Sequence, residues 1–210
     1  MLDLDRIRNA PVKSEPYPYF FVEQAIRADE APSVAADFPA IDRPGAINVE
    51  TTEFGPSFAA LLDDLKSDRF RQLIAEKLDV ELDNRDIVIN VRGQMRLTDG
   101  NIHTDTPSKL VTVLVYFNEP GEMDKTSLRI LKNGKDLDDF VEEIPPRLGN
   151  MVVFKVTPDC WHGHQAVPGK RLSLQLNYLS GVTTRGKHQL AHRLVGRMKR
   201  KVSHLLERVG

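Results

Sequence analysis

His103 and Asp105 are the residues whose types and spacing point most directly to chemistry. Because they are two positions apart, their side chains point to the same side of an extended segment. His162, delivered by another strand, would complete a set of two histidines and one carboxylate. That set holds one face of a metal ion and leaves the other positions open, as oxygen-activating non-haem Fe(II) requires. The sequence therefore predicts a metal site with His103, Asp105 and His162 as ligands and catalytic residues.

A His-x-Asp pair is weak evidence by itself, because the aspartate can equally turn or cap a polar loop. Its surroundings strengthen it, since Asp99-Gly100-Asn101 is a turn signal and a strand candidate begins shortly after Asp105. The pair would then lie at the mouth of a strand. His164 shares a face with His162 in an extended segment, so alternation alone does not decide which of the two is the third ligand.

A second polar group lies on the last predicted strand, Arg171–Tyr178. Arg171, Ser173, Gln175 and Asn177 would share one face, and leucines would fill the other. This polar face could simply be solvated. Alternatively, a guanidinium offers a carboxylate a planar, two-pronged grip, and a neighbouring hydroxyl adds one more donor. Arg171 and Ser173 therefore indicate a carboxylate-binding site.

The sequence predicts helices in the first part of the chain and strands in the second, and these elements would have to position the metal-binding and carboxylate-binding residues. Helices are predicted from about Ser57 to Leu65 and from Ser67 to about Leu78, each with a serine cap, after an extended entry over 16–22. From about residue 87 the period changes to two, which predicts strands near 87–97, 109–117, 127–131, 151–156 and 171–178. Short strands after a helical cover favour a sandwich or jelly roll.

Six segments between residues 93 and 178 form a recognisable series: His103-Thr104-Asp105, Val113–Asn118, Leu128–Leu131, Pro145–Phe154, Trp161-His162-Gly163 and Arg171-Leu172-Ser173. The series resembles the Fe(II)/2-oxoglutarate-dependent dioxygenases, in particular their prolyl 4-hydroxylase-like branch. One segment departs from the pattern: relatives often carry Gly-Gly where this chain has Lys125-Thr126-Ser127. Since that pair shapes a turn, the loop geometry is expected to differ here while the predicted metal ligands are unaffected.

The resemblance implies a fold and a set of site residues. The fold is mainly β with flanking helices (α+β): a helical cover over about 1–82, a double-stranded β-helix (jelly-roll) core over about 83–182, and a basic C-terminal helix over 183–210. The implied residues are His103, Asp105 and His162 for Fe(II), and Arg171, Ser173 and Tyr116 for 2-oxoglutarate. In the resembling enzymes the third ligand precedes the arginine by about nine positions, which selects His162. The alternative for Tyr116 is that it is an aromatic residue of the core with no role in binding 2-oxoglutarate.

The implied activity is that of a dioxygenase using Fe(II), 2-oxoglutarate and O2. It would hydroxylate a C–H bond of an unidentified small-molecule or protein side-chain substrate and decarboxylate 2-oxoglutarate to succinate and CO2. One alternative is a cupin-like metal-binding protein that does not use 2-oxoglutarate, in which Arg171 and Ser173 would have no special use. The other is a non-catalytic jelly-roll binding module with structural histidines or a passive metal.

Size and composition are those of an ordinary soluble domain. The 210 residues are 40% hydrophobic and 28% charged, which suits one globular domain with a substantial core. We expect no transmembrane helix, since no apolar run approaches the roughly 18 residues needed. The amino terminus lacks the pattern of a secretory signal, and a single cysteine, Cys160, excludes an internal disulfide. Together these features favour the cytoplasm.

The carboxyl-terminal residues 183–210 carry most of the excess basic charge. Eight lysines or arginines face one acid there, so this segment is +7 and the remainder −8. Apolar residues recur at helical spacing, which predicts an amphipathic helix. It would either pack on the jelly roll with a solvated basic face or contact an anionic membrane surface or a partner. Nucleic-acid binding is not expected, because this segment has no Phe, Tyr or Trp to stack on bases.

Overall fold

The computed structural model describes residues 1–181, in which helices precede and cover a β core of two sheets. The predicted basic helix over 183–210, together with its membrane or partner contact, lies outside the described residues. Within the described part of the chain, no helix is long and apolar enough to cross a membrane.

Four α-helices belong to the amino-terminal part: α1 Leu4–Asn9, α2 Ala31–Ala36, α3 Pro56–Lys66 and α4 Asp68–Leu78. Two short 3-10 helices cover Val49–Thr51 and Glu122–Thr126. The two longest, α3 and α4, are those that the hydrophobic spacing predicts, whereas α1 and α2 are only six residues long and were not foreseen. The helical cover is therefore built from two predicted helices and two short ones.

The starts of α3 and α4 test the predicted serine caps. Ser67 does cap α4, because its hydroxyl accepts a hydrogen bond from the Phe70 N–H at 3.2 Å. The cap predicted at Ser57 is wrong: Gly55 is the N-cap residue of α3 and the helix begins at a proline. Proline suits the first helical position, since its φ is preset and its missing N–H would have no partner there. The Ser57 N–H instead donates to the Asp37 carboxylate at 2.6 Å.

Nine strands form the core: β1 Tyr19–Val22, β2 Ile47–Asn48, β3 Ile87–Met95, β4 Lys109–Tyr116, β5 Leu128–Leu131, β6 Phe140–Ile144, β7 Met151–Lys155, β8 His162–Gly163 and β9 Gly169–Leu179. One antiparallel sheet has the order β1-β7-β4-β9-β3-β2, and a smaller one the order β6-β5-β8. All five predicted strands are present, and each end lies within two residues of its expected position. The strands β2, β6 and β8 were missed because β2 and β8 have only two residues each and β6, with two adjacent glutamates, shows no regular apolar alternation.

The large sheet buries its two faces against different partners. Its outer face meets the helices, where Val113 of β4 and Leu176 of β9 join Phe58 of α3 and Ile74 of α4 in the main core. Its inner face meets the small sheet in a second core, which consists of Tyr17, Tyr19, Tyr116, Leu128, Ile130, Ile144, Val152, Phe154 and Cys160. The fold is mainly β with flanking helices, as predicted.

The polar face of β9 lies inside the molecule, between the two sheets. Arg171, Ser173 and Asn177 are only 8%, 3% and 3% exposed, so this face is not the solvated surface that alternation alone would also permit. In the sheet register Ser173 stands opposite Tyr116 of β4 on one side and opposite Arg92 of β3 on the other. Polar side chains from three neighbouring strands are thereby placed in one row on the inner face.

Candidate metal centre

His103 and His162 are joined through their backbones. Each N–H donates to the carbonyl oxygen of the other residue at 3.0 Å, which forms an isolated antiparallel bridge. His162 also pairs with Ile130 of β5, so the small sheet fixes it from the other side. The two imidazole ring centroids lie 4.3 Å apart. The loop that carries His103 is therefore tied to the strand that carries His162, and the two rings are presented together.

Hydrogen bonds set the orientation of both rings. Nδ1 of His103 lies 2.8 Å from the Asn101 carbonyl oxygen, and Nδ1 of His162 lies 2.8 Å from the Cys160 carbonyl oxygen. Since a carbonyl oxygen can only accept, each Nδ1 carries the proton and donates. The lone pair then resides on Nε2 in both rings, which is the arrangement that metal-binding histidines use.

The His162 ring is held neutral by its surroundings. It is only 4% exposed, and the Phe154 ring centroid lies 4.9 Å from its own. Burial first, and then the electrostatic effect of the neighbouring His103, lower the pKa of His162 to about 4, against the opposing effects of the Cys160 carbonyl and Asp105. A metal-binding imidazole must be unprotonated, so His162 is ready to bind a cation at neutral pH.

Asp105 is a buried carboxylate that hydrogen bonds from Lys109 and Thr112 keep ionised. The Lys109 ammonium lies 2.8 Å from Oδ1, and the Thr112 hydroxyl donates to Oδ2. Burial raises the pKa of Asp105, but the bonds from Lys109 and Thr112 and the lysine charge outweigh it, and the pKa lies below its usual range. A carboxylate has about four acceptor sites, so these two bonds leave room for a metal ion.

The three side chains predicted as ligands come together. His103, Asp105 and His162 can each direct one ligand atom so that these atoms lie within 4.8 Å of one another. His164 is not a member of this group. Two imidazole nitrogens and one carboxylate oxygen form the donor set that suits Fe(II) with open positions. The structure thus assembles a donor set that fits iron, and the ligand roles themselves stay predictions.

A cavity of about 280 Å³ opens beside the cluster. His103 and His162 line the cavity, and Leu114 and Leu128 contribute apolar wall. The remaining wall is largely polar and includes Arg171. The pocket is therefore large enough for a small ligand in contact with the cluster and offers that ligand a cation.

Arg171 is fixed by contacts that sequence reasoning missed. Its Nε donates to the Thr126 hydroxyl at 2.9 Å and its Nη2 donates to the Thr126 carbonyl at 3.1 Å. The guanidinium carbon lies 5.1 Å from the Tyr116 ring centroid, a cation–π contact. Thr126 belongs to the Lys125–Ser127 segment that replaces the glycine pair of relatives. The departure in that loop therefore supplies the residue that orients Arg171.

Tyr116 has a buried hydroxyl that lacks a partner. The residue is 1% exposed, and no hydrogen-bond partner for its hydroxyl exists among residues 1–181. Burial raises the pKa of Tyr116. Arg171 opposes the shift without cancelling it, through its charge and through an approach to the hydroxyl oxygen that falls short of hydrogen-bond geometry, so the hydroxyl is protonated and can donate. A buried polar group without a partner costs about 1–3 kcal/mol. A ligand oxygen in the cavity would remove that cost, which makes the site fit an oxyanion such as 2-oxoglutarate.

His164 lies at the cavity wall, away from the cluster. It is half-buried. Its backbone N–H donates to the Gly100 carbonyl at 3.0 Å, and its ring Nδ1 lies 3.0 Å from the Gln165 carbonyl oxygen. Gly100 has a φ of +89°, and a Cβ there would collide with the His164 ring. Both the positive φ and the lack of space for a Cβ require a glycine at this turn. The Asp99–Asn101 turn signal thus has a structural basis: it lets the loop before His103 pass close to His164.

Comparisons with known proteins extend this picture. Residues 93–179 match the family model of the 2OG-Fe(II) oxygenase superfamily. A prolyl 4-hydroxylase from Pseudomonas putida is similar in structure, with a TM-score of 0.56, 19% identity, and coverage of 77% of this chain and 92% of that chain. A Phytophthora capsici prolyl 4-hydroxylase gives a TM-score of 0.56 at 15% identity, covering 95% of this chain and 76% of that one.

A third similar structure is the 2OG complex of the viral collagen prolyl hydroxylase from Paramecium Bursaria Chlorella virus-1. Its TM-score is 0.53 at 14% identity, over 77% of this chain and 96% of that chain. No curated protein matches the chain in sequence. At these identities the structural likeness shows the fold, and it confirms the predicted double-stranded β-helix core.

The depressed pKa of His162 predicts a pH-dependent stability in metal-free protein. An unfolded histidine titrates near 6.5, so between about pH 6.5 and 4 the unfolded chain binds a proton that the folded protein does not, and stability falls as the pH falls. From pH 7 to pH 5 this costs about 2 kcal/mol. Urea unfolding with a chelator present measures it, with His162→Asn as the matched variant. Wild type should lose about 2 kcal/mol more than the variant; parallel curves would contradict the shift.

Proposed function

Residues 93–179 match the 2OG-Fe(II) oxygenase superfamily, and from this premise we propose that the chain is a member of it and an active dioxygenase that hydroxylates a C–H bond of its substrate. Fe(II), 2-oxoglutarate and O2 are the cofactor and cosubstrates of this superfamily. The observation that carries the proposal is the meeting of two sets of groups at one cavity. The two histidines of a donor set suited to Fe(II) line this cavity, and an anion-binding set lies on the same wall.

We assign the iron ligands to His103, Asp105 and His162. The Nδ1 bonds to backbone carbonyls keep both imidazoles in the tautomer that binds a cation through Nε2. Lys109 and Thr112 hold the Asp105 carboxylate in place and ionised. These fixed partners lower the reorganisation that cation binding would otherwise demand.

The cosubstrate would be held by three other side chains. Arg171 and Ser173 would bind the distal carboxylate of 2-oxoglutarate, and Tyr116 would donate its otherwise unpaired hydroxyl. Tyr116 and Ser173 are direct cross-strand neighbours, so their hydroxyls can reach the same ligand group. Thr126 keeps the guanidinium in the cavity through its two hydrogen bonds.

When bound, iron with 2-oxoglutarate and O2 supplies the oxidation, in which the cosubstrate is converted to succinate and CO2 and a substrate C–H bond is hydroxylated. The share of the protein is positioning and exclusion. Leu114 and Leu128 keep part of the cavity wall apolar, which limits water near the reacting groups. The neutral His162 and the ionised Asp105 preserve the ligand set at neutral pH.

The two alternative functions make different use of the same residues. A cupin-like protein without 2-oxoglutarate, or a passive metal-binding module, has no need for a buried arginine held beside an unpaired tyrosine hydroxyl. The pairing of Arg171 with Tyr116 at 5.1 Å, next to the donor set, favours the dioxygenase.

Removal of a ligand is expected to stop the reaction. His103→Ala and Asp105→Ala should each lose bound Fe(II) on anaerobic gel filtration and form less than about 1% of the succinate that wild type forms from 2-oxoglutarate, because the remaining ligands no longer hold the ion. Asp29→Ala removes a carboxylate whose side chain is 81% exposed and should behave as wild type. Full succinate formation and iron content in either ligand variant would remove that residue from the assignment.

Loss of the arginine that would bind the distal carboxylate should weaken the binding of 2-oxoglutarate and leave iron binding unchanged. In Fe(II)-loaded protein, titration calorimetry under anaerobic conditions should show a Kd for 2-oxoglutarate about 10- to 100-fold weaker in Arg171→Ala, since a hydrogen bond to a charged group contributes about 1.5–3 kcal/mol. Thr126→Val should weaken it about 3- to 10-fold by loosening the guanidinium. Both variants should retain iron. The neighbouring exposed Lys170→Ala serves as control, and unchanged affinity in Arg171→Ala would contradict the role.

A further inference from the structure

Arg92 is the second arginine that lines the cavity, and it has no role in the proposed binding of iron or 2-oxoglutarate. It lies on the inner face of β3, directly opposite Ser173 in the β3–β9 register, and it lines the cavity together with Gln94. Directly opposed residues on one face have Cβ atoms about 4.5–5.5 Å apart. Arg92 is thus placed beside the carboxylate-binding residues, on the side of Ser173 that is opposite to Tyr116.

The Arg92 guanidinium has no counterion in the described part of the chain. Neither Arg92 nor Gln94 makes a side-chain hydrogen bond or ion pair with any of residues 1–181, although both are half-buried. The acid on the cavity wall, Asp99, is already engaged, because Arg96 binds it with its backbone N–H at 2.8 Å and its guanidinium at 3.1 Å. A half-buried cation and a half-buried amide therefore stand side by side with their donors unused.

The charges around the cavity do not balance even with metal and cosubstrate in place. The two charges of Fe(II) equal those of 2-oxoglutarate, and Lys109 neutralises Asp105. What remains is the pair of guanidiniums, Arg92 and Arg171. Burial lowers the pKa of Arg92, Asp99 opposes this, and the like charges of Arg171 and Arg96 lower it further. A concave site of one sign attracts ligands of the other.

We propose that Arg92, with Gln94 beside it, binds an oxyanion of the primary substrate, a carboxylate or a phosphate group. The assignment rests on the proposed function, since it names the substrate class of that reaction. The substrate is then a small anionic compound whose reacting C–H bond lies near this group, and Arg92 orients it against the metal centre. A cavity of about 280 Å³ suits a compound of that size. The guanidinium supplies the two-pronged contact that such oxyanions favour.

The test uses the full chain loaded anaerobically with Fe(II) and saturating 2-oxoglutarate. Inorganic phosphate and propionate are titrated separately by calorimetry at constant ionic strength in chloride. We expect both to bind wild type, and the tighter of the two indicates which oxyanion the substrate carries. Arg92→Gln should weaken binding at least tenfold, Arg92→Lys should restore part of it, and Lys170→Gln, which removes an exposed charge of the neighbouring strand, should change it less than twofold.

The 2-oxoglutarate affinity is measured first in every variant and separates the remaining outcomes. Arg92→Gln should bind 2-oxoglutarate as wild type does, which also shows that it folds. An affinity loss like that expected for Arg171→Ala would instead make Arg92 a cosubstrate residue and overturn the proposal. Absence of anion binding to wild type, or equal binding to Arg92→Gln, would overturn it as well. Failure of wild type to bind 2-oxoglutarate at all would reject the proposed function, and the substrate assignment with it, before any anion is added.

Discussion

The two-sided alternation of β4 and β9 is the constraint on which the candidate site depends. Every second residue of these central strands packs against the helices, so the intervening residues must point between the two sheets. Burial of the valine and leucine face fixes the register, because a slip by one residue would turn that face inward. The same hydrophobic packing therefore places Tyr116, Ser173 and Arg171 in the interior. One face of these strands is apolar and packs in the core, and the other face is polar and lines the site. The same packing contacts fix the orientation of both faces.

The fixed charges of the site follow from what each group meets once it is inside. Asp105 remains an anion because Lys109 and Thr112 bond to it, and His162 remains neutral because its burial outweighs the opposing effects of the Cys160 carbonyl and Asp105. The Arg171 guanidinium is held in place by its bond to Thr126 and by its contact with the Tyr116 ring. An unpaired hydroxyl and two guanidiniums face the cavity. The interior is thus prepared for a cation beside the two histidines and for anions beside the guanidiniums.

Sequence reasoning predicts those parts of the structure that repeat with a regular period. The strands near 109–117 and 171–178, and the helix capped by Ser67, are present because alternation and helical spacing reflect burial directly. The grouping of His103, Asp105 and His162 also followed from residue types and the family resemblance. By contrast, Thr126 reaches Arg171 across 45 residues through a loop, and no local pattern signals such a contact.

Other misses have equally specific causes. Lys109 meets Asp105 four residues away along a non-helical segment, where spacing carries no directional information. The short strand β6 shows little apolar alternation, and the start of α3 depends on Asp37, which comes from another helix end. Tertiary contacts decide all three. They matter for function because the groups that orient the ligands, and not only the ligands, determine what the site can hold.

The most direct test of the account is the visible absorption of anaerobic protein loaded with Fe(II) and then given 2-oxoglutarate. The account predicts the weak charge-transfer band of the chelate in wild type and in His164→Ala, and its loss in His162→Ala. The measurement needs no knowledge of the substrate. A folded, iron-bound wild type without the band would contradict the dioxygenase assignment. A band that survives in His162→Ala but vanishes in His164→Ala would contradict the ligand set.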